Sequence, residues 1–168
     1  MSTIETFARD NPNGVAYRMM PSEQMVTWRE LEQRSRQCAA ALQAAGLKQG
    51  DVIAIFLENH VRYYEIIWAA FRIGLYYTTI SRHLKTDEVR YILQDCGART
   101  VFCSARTLQE VDAGALEALP ALPLERLLLA GTRPGLTNYE AFIASRPPGV
   151  ALPETLQGMD FCYSSGTT

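Results

Sequence analysis

Residues 52–57 read Val52-Ile53-Ala54-Ile55-Phe56-Leu57, six apolar side chains in succession with no polar residue between them. A strand with one face in water alternates apolar and polar residues, whereas a strand that is covered on both faces does not. The run also has the length of a strand. It therefore predicts a central strand of a parallel sheet with helices packed on both faces.

Outward from this run, predicted helices and strands alternate along the chain. Thr27 and Glu30 have the spacing of a helix capping box, and Gly46 is a natural end for the helix that they begin. Such alternation is typical of βαβ units, so the expected fold class is α/β with a mostly parallel sheet. The strands are predicted over residues 15–19, 24–27, 52–57, 76–80, 99–103, 127–129 and 159–162, and the helices over residues 3–10, 28–45, 59–73, 86–96, 107–118 and 139–144.

Composition and charge exclude several classes of protein. The 168 residues include 16 basic and 18 acidic ones in a well-mixed order, which indicates neither a nucleic-acid surface nor a polybasic membrane anchor. The longest wholly apolar stretches, Ile66 to Phe71 and the equally long run of residues 52–57, are far shorter than the ~20 residues of a membrane-spanning helix. The first residues lack the pattern of a secretory signal, so a cytoplasmic location is expected.

Cysteine and histidine spacing predicts no metal site. The four cysteines form no C-x-x-C pair, and neither of the two histidines has zinc-finger spacing to a cysteine. The cysteines are therefore expected to be buried, reduced thiols that pack as small apolar residues. They are Cys38, Cys96, Cys103 and Cys162.

The last predicted strand leads into a turn of small polar residues. Residues 163–168 read Tyr-Ser-Ser-Gly-Thr-Thr, and such a turn can direct backbone N–H groups and hydroxyls at an anionic oxygen. The segment is not a Walker A loop, because no lysine follows at the required position. Taken alone, an ordinary polar turn after a strand is the more common explanation of this pattern.

Five segments, taken in order and spacing, resemble the N-terminal part of the adenylate-forming superfamily, which includes acyl-CoA synthetases, firefly luciferase and nonribosomal peptide adenylation domains. They match its "ytWreL" segment, its "Gl-kGDrVai" turn, its "N…ayfailkaGa" stretch, its "Lt-eEl-yil-dsgak" helix and the start of its "YTSGTTGxPKG" phosphate loop. The matching residues are 25–31, 46–54, 58–74, 84–98 and 163–168. The resemblance covers nearly the whole chain.

This resemblance implies an ATP-dependent acid–CoA ligase that uses ATP, Mg²⁺ and coenzyme A to activate a carboxylic acid through an acyl-adenylate. By position, the residues that would contact the ATP phosphates are Ser164, Ser165, Gly166, Thr167 and Thr168. The family's remaining loop residues, its Mg²⁺-binding acid and its C-terminal domain have no counterpart in the sequence. Residues 1–168 are therefore expected to form a single incomplete domain, the N-terminal portion of the large adenylation domain, with no catalytic or metal-binding residue of its own.

Other residues carry two interpretations. The segment Thr78 to His83 departs from the family's usual Val-Pro-Leu-Asn and favours fatty-acyl or related acid–CoA ligases over amino-acid adenylation domains. His83 follows a strand, where functional side chains are common, although a solvated or capping role is favoured. An aromatic cluster could form an acyl pocket, but core packing is favoured; it comprises Tyr63, Tyr64, Trp68, Tyr76 and Tyr77. Four basic residues are expected to be solvated: Arg72, Arg82, Lys85 and Arg90.

Two further expectations concern the chain as a whole. The alternative function is a self-contained α/β module that binds an anion or another macromolecule. If elements that cover the sheet are missing, an exposed apolar face and a free strand edge would favour self-association.

Overall fold

The computed structural model describes residues 3–111, 125–128 and 136–163. Six helices alternate with eight strands in this part of the chain. The helices are Thr3–Asp10 (α1), Trp28–Ala44 (α2), Tyr63–Arg72 (α3), Thr86–Asp95 (α4), Thr107–Glu110 (α5) and Tyr139–Ala144 (α6). The strands are Val15–Met19 (β1), Gln24–Thr27 (β2), Val52–Phe56 (β3), Tyr76–Thr79 (β4), Thr100–Cys103 (β5), Glu125–Leu128 (β6), Thr137–Asn138 (β7) and Met159–Asp160 (β8).

Six of the strands form one sheet in the order β7-β6-β5-β3-β4-β8, and every neighbouring pair in it is parallel. The other two strands, β1 and β2, form an antiparallel hairpin. The predicted α/β class with a parallel sheet is confirmed. The predicted helix over 107–118 is seen only in its first turn, since residues 112–118 lie outside the described residues, as does residue 129 of the predicted strand 127–129.

The central strand β3 packs on both faces, as its continuous apolar sequence predicts. Ile53 and Ile55 lie in one buried cluster with residues of α2, α3 and α6. Ala54 and Phe56 point to the opposite face and pack against α4 and α5. These four side chains have no solvent-exposed surface, so the sheet is the middle layer of a three-layer arrangement.

The start of the chain closes one side of this core. Thr27 begins α2 as predicted, because its side-chain Oγ1 accepts a hydrogen bond of 3.2 Å from the backbone N–H of Glu30. Ile4, Val26 and Leu31 then form a small buried cluster that joins α1, the hairpin and α2. The hairpin is thereby fixed beside the carboxyl end of β3.

Two predictions about individual side chains were wrong. Arg72 is not solvated: its guanidinium pairs with Glu32 and donates a hydrogen bond of 3.1 Å to Ser35 Oγ, and burial lowers its pKa. Cys162 is exposed and not buried, whereas the other three cysteines are buried thiols as expected. Both differences depend on which elements meet in space, and residue type alone does not show this.

Among the described residues, no helix combines the length and the apolar character needed to cross a lipid bilayer.

Candidate functional site

A large groove lies at the carboxyl ends of the central strands. It encloses about 1760 Å³, and its lining comes from the loops that follow β3, β4 and β5, from the first turns of α3 and α4, and from the tip of the hairpin. In open α/β sheets, ligands bind at this edge, where successive connections leave the sheet on opposite faces. Here β4 and β5 lie on opposite sides of β3, so the groove lies at that position.

Strand β8 brings the chain into this groove. Met159 and Asp160 pair with Tyr76 and Tyr77 of β4, and Tyr163 contributes to the lining of the groove. The hydroxyl of Tyr163 donates a hydrogen bond of 2.5 Å to Asp95 at the end of α4, and burial together with this contact raises the pKa of Tyr163. Tyr163 is thus held immediately before the predicted phosphate loop.

The predicted phosphate-loop residues Ser164, Ser165, Gly166, Thr167 and Thr168 lie outside the described residues. Their role therefore stays a prediction.

A glycine allows β8 to approach the sheet. A Cβ atom at Gly158 would stand 2.1 Å from the carbonyl oxygen of Leu75 and 2.9 Å from that of Ala70. Its backbone N–H donates a hydrogen bond of 3.2 Å to the carbonyl oxygen of Phe71. Only glycine fits this close contact between backbones, and the contact places the segment that leads to Tyr163.

Polar side chains after β3 and β5 form a connected network beside the groove. Ser104 Oγ donates a hydrogen bond of 2.5 Å to Glu58 Oε2, and Glu58 lines the groove. Thr107 accepts a hydrogen bond of 3.1 Å from the backbone N–H of Ser104 and donates one of 3.0 Å to the carbonyl oxygen of Phe56. The network fixes the position of one carboxylate at the edge of the sheet.

The next residues of the same loop are also fixed. His60 is half-buried and lines the groove, and its Nδ1 atom accepts a hydrogen bond of 3.1 Å from the backbone N–H of Arg62. Tyr17 of the hairpin donates a hydrogen bond of 2.5 Å to the carbonyl oxygen of Val61. Burial lowers the pKa of His60, so its imidazole is neutral at neutral pH.

Glu58, His60 and Ser104 were missed at the level of sequence. A signal for two of them existed, because Glu58 and Ser104 directly follow predicted strands and the carboxyl ends of parallel strands meet at one edge of the sheet. His60 lies in the first turn of the helix predicted over residues 59–73, where no such signal exists.

The residues with two interpretations divide between the groove and the core. His83 is exposed and lines the groove, and its backbone N–H donates a hydrogen bond of 3.3 Å to Ser81 Oγ. Of the aromatic cluster, Tyr63 and Tyr64 line the groove as well. Trp68 and Tyr77 instead make edge contacts with Phe71, both at 5.5 Å between ring centroids, as core packing predicts.

The described residues contain no cluster of three or more histidine, cysteine, aspartate or glutamate side chains that could hold a metal ion. The residues that the structure describes therefore do not fit a Mg²⁺ site by themselves.

Comparisons with known proteins agree with this architecture. The fatty acid–[acyl-carrier-protein] ligase ScoC of Streptomyces coeruleorubidus is 30% identical over 143 residues, which are 85% of this chain and 26% of ScoC. The uncharacterized protein Rv1549 of Mycobacterium tuberculosis is 23% identical over 124 residues, which are 74% of this chain and 67% of that protein.

The fold is shared with solved structures. The anthranilate CoA ligase AuaEII, solved with anthranoyl-AMP, superposes with a TM-score of 0.83 at 22% identity, covering 98% of this chain and 32% of its own. The chain thus spans about a quarter of ScoC and a third of AuaEII. The sequence profile of the family described as AMP-binding enzyme matches residues 4–168. The chain belongs to the AMP-binding enzyme family.

Proposed function

We propose that this chain is the N-terminal portion of an ATP-dependent acid–CoA ligase and that the activated acid is a fatty acid. The observation that carries the proposal is the position of Tyr163, which leads into Ser164–Thr168 from inside the groove at the carboxyl edge of the sheet. The family match over residues 4–168 and the relatedness to ScoC support it. Residues 1–168 would then be one incomplete domain, to which relatives add a larger part.

The reaction has two steps. A carboxylate oxygen attacks the α-phosphorus of ATP, so that an acyl-adenylate forms and pyrophosphate leaves. The thiolate of coenzyme A then attacks the acyl carbon, and AMP leaves with the electron pair of the broken C–O bond. Charge develops on pyrophosphate in the first step, and hydroxyls and N–H groups of Ser164–Thr168 would stabilise it. The proposed Mg²⁺ requires ligands beyond the described residues.

The two relatives differ in the thiol that accepts the acyl group. ScoC is named as a ligase for acyl carrier protein, whereas AuaEII is named as a CoA ligase. We propose coenzyme A, and an assay with both acceptors distinguishes them.

The test uses the protein that is encoded by the complete reading frame. With ATP, Mg²⁺ and a series of straight-chain acids, the proposal expects acid-dependent exchange of pyrophosphate into ATP, and formation of the acyl thioester when coenzyme A is added. Anthranilate and benzoate serve as aromatic competitors for the fatty acids. Absence of exchange with every acid would contradict the ligase, and exchange with aromatic acids alone would contradict the fatty-acid assignment.

A self-contained α/β module that binds an anion or a macromolecule is the second candidate. The observation that favours it is the match to Rv1549, which covers two thirds of that protein, so this chain resembles a short protein over most of that protein's length. A chain of 168 residues that ends at a natural stop codon and binds inorganic phosphate would support this module over the ligase.

We also propose that the chain self-associates. Strand β8 forms the edge of the described sheet, and the neighbouring side chains Met159, Phe161 and Tyr76 are exposed. An unpaired edge beside apolar side chains is a surface on which a second copy can pair. A cytoplasmic location stays a prediction from the N-terminal sequence.

A further inference from the structure

Hydrogen bonds hold one side of the loop between β3 and α3, residues 57–62. The other side of the loop is open to the groove. Glu58 is held by a serine hydroxyl, the carbonyl of Val61 by a tyrosine hydroxyl, and the guanidinium of Arg62 by Glu30 at 2.9 Å. A loop fixed at three points presents its remaining polar groups in one geometry, which is how binding sites are preorganised.

His60 lies between these fixed points and has a defined tautomer. Because its Nδ1 atom accepts the N–H of Arg62 at 3.1 Å, the neutral ring carries its proton on Nε2. Among the described residues, none accepts a hydrogen bond from Nε2, and the ring lines the groove. A half-buried N–H donor is thus available to a ligand at a fixed position.

The groove that His60 lines has both apolar and charged walls. Ile67 of α3, Ile80 and Leu84 after β4, and Ile92 of α4 are among its apolar lining residues, and Glu58, Asp87 and Arg106 are among its charged ones. Small-molecule sites combine such apolar walls with a few polar groups that fix orientation. The chemistry that fits is a ligand with an apolar chain and an oxygen acceptor at one end.

We propose that the Nε2–H group of His60 donates a hydrogen bond to an acyl oxygen at the head of an amphipathic ligand, whose apolar chain lies against Ile67, Ile80 and Leu84. The choice of an acyl ligand rests on the proposed function. His60 is in this view a binding residue that orients the acyl group and takes no proton from it.

Nuclear magnetic resonance of the 168-residue chain with ¹⁵N-labelled histidine tests the proposal directly. The chain has only two histidines, so two sets of resonances are expected, and the spectrum of the His60→Asn chain assigns them. The free protein should show His60 protonated on Nε2 and unprotonated on Nδ1. Titration with octanamide and with octanoate should shift the Nε2 resonance of His60 saturably, and by more than the resonances of His83, which lines the same groove beside Leu84.

Inorganic phosphate is the third probe, because it offers oxygen acceptors without an apolar chain. A response of His60 to octanoate but not octanamide would identify a carboxylate as the acceptor, and a response to both would identify any acyl oxygen; either supports the proposal. A response to phosphate alone, equal shifts of both histidines, or no response to either octanoyl probe would overturn it.

Two substitutions separate the ligand contact from the structure of the loop. His60→Asn keeps an acceptor for the backbone N–H of Arg62, as in an Asx-turn, but has no donor that reaches the groove. His60→Gln keeps a donor near the position of Nε2 but loses the acceptor. We expect His60→Asn to weaken octanamide binding about fivefold, the value of one neutral hydrogen bond, and His60→Gln to retain it. Equal affinity of the His60→Asn and unsubstituted chains would overturn the proposal.

Failure of this inference and failure of the proposed function give different results. Binding of the octanoyl probes is measured on this chain without turnover, whereas ligase activity is measured on the full-length protein. Acid-dependent pyrophosphate exchange with no change at His60 removes only the inference. Binding at His60 without any exchange removes the ligase but leaves the acyl site.

Discussion

The guanidinium of Arg34 in α2 binds the fully buried carboxylate of Glu65 in α3 through two hydrogen bonds, from Nε to Oε2 at 2.7 Å and from Nη2 to Oε1 at 3.0 Å. Tyr139 of α6 donates a third hydrogen bond, of 2.6 Å, to Glu65 Oε1. Burial raises the pKa of Glu65, and the hydrogen bonds from Arg34 oppose that rise. Three helices on one face of the sheet are therefore joined at a single carboxylate.

Replacing Arg34 by methionine should destabilise the protein by about 3 kcal/mol, because the buried carboxylate of Glu65 loses its bidentate partner. Glu65 would keep only the hydroxyl of Tyr139 and the more distant guanidinium of Arg62, at 3.6 Å. The double substitution Arg34→Met with Glu65→Gln should recover part of this loss, since the amide carries no charge. The matched control is Arg9→Ala, which breaks the exposed pair with Asp10 and should leave stability nearly unchanged. Urea unfolding measures all three, and similar losses for Arg34→Met and Arg9→Ala would contradict the prediction.

A strand that is buried on both faces can be predicted from its own residues, because every side chain in it is apolar. The continuous apolar run of β3 predicted such a strand. The partnership of Arg34 with Glu65 and that of Arg72 with Glu32 join residues on different helices, so local patterns could not show them. Strand β7 was also missed, because it has only two residues and no apolar run that would distinguish it from a turn.

The candidate site divides in a similar way. Its place at the carboxyl edge follows from a parallel sheet, which the alternation of elements predicted. The roles of Glu58 and His60 depend on a serine hydroxyl and a backbone N–H whose positions only the folded loop defines. The predicted ATP contacts at Ser164–Thr168 stay predictions.

The close approach at Gly158 gives a second prediction. Gly158→Ala should destabilise the protein by about 3 kcal/mol, because the added Cβ would overlap the carbonyl oxygen of Leu75. Gly97→Ala is the control: Gly97 has a φ of +62° but no atom near its Cβ position, so the cost should be about 1 kcal/mol. Urea unfolding measures both costs. Only Gly158→Ala should also break the hydrogen bond between Tyr163 and Asp95. Equal costs for the two substitutions would contradict a steric role.

The half-buried imidazole of His60 predicts a pH dependence of stability. Its pKa in the folded protein is lowered, chiefly by burial and also by Arg62, whereas Glu58 and Glu140 oppose the shift. The unfolded chain therefore binds a proton near pH 6.5 that the folded chain resists, so stability falls as the pH drops from 7.5 to 5. Protonation would also remove the acceptor of the Arg62 N–H.

His60→Asn should make the free energy of unfolding depend less steeply on pH in this range, because asparagine does not titrate. His83→Asn removes the other histidine, so a change of slope that occurs only in His60→Asn assigns the pH dependence to His60. Urea unfolding at five pH values measures the slopes. An unchanged slope in His60→Asn would show that other groups cause the loss of stability.

The exposed edge at β8 predicts that the chain self-associates. Met159 stands opposite Tyr76 in the pairing of β8 with β4, and Phe161 lies beside them; their exposures are 58%, 40% and 45%. Light scattering after size exclusion should therefore show a mass that rises with concentration. Phe161→Lys should shift the protein toward the monomer, because a charged edge residue opposes strand pairing. Met25→Lys on the hairpin has a similarly exposed position and should have no effect. A monomer at every concentration would contradict the prediction.

The chain of 168 residues should not form acyl-CoA by itself. It spans 26% of ScoC and 32% of AuaEII, and the described residues hold no cluster of metal ligands. The charge that develops on pyrophosphate must be stabilised from several sides by hydrogen-bond donors and a metal ion. The five residues from Ser164 to Thr168 can supply donors on one side only. Release of AMP and pyrophosphate should stay at the no-enzyme rate with ATP, Mg²⁺, coenzyme A and octanoate, while the full-length protein is active under the same conditions. Turnover by the chain that Gly166→Trp abolishes would show that these residues complete a site without the rest of the fold.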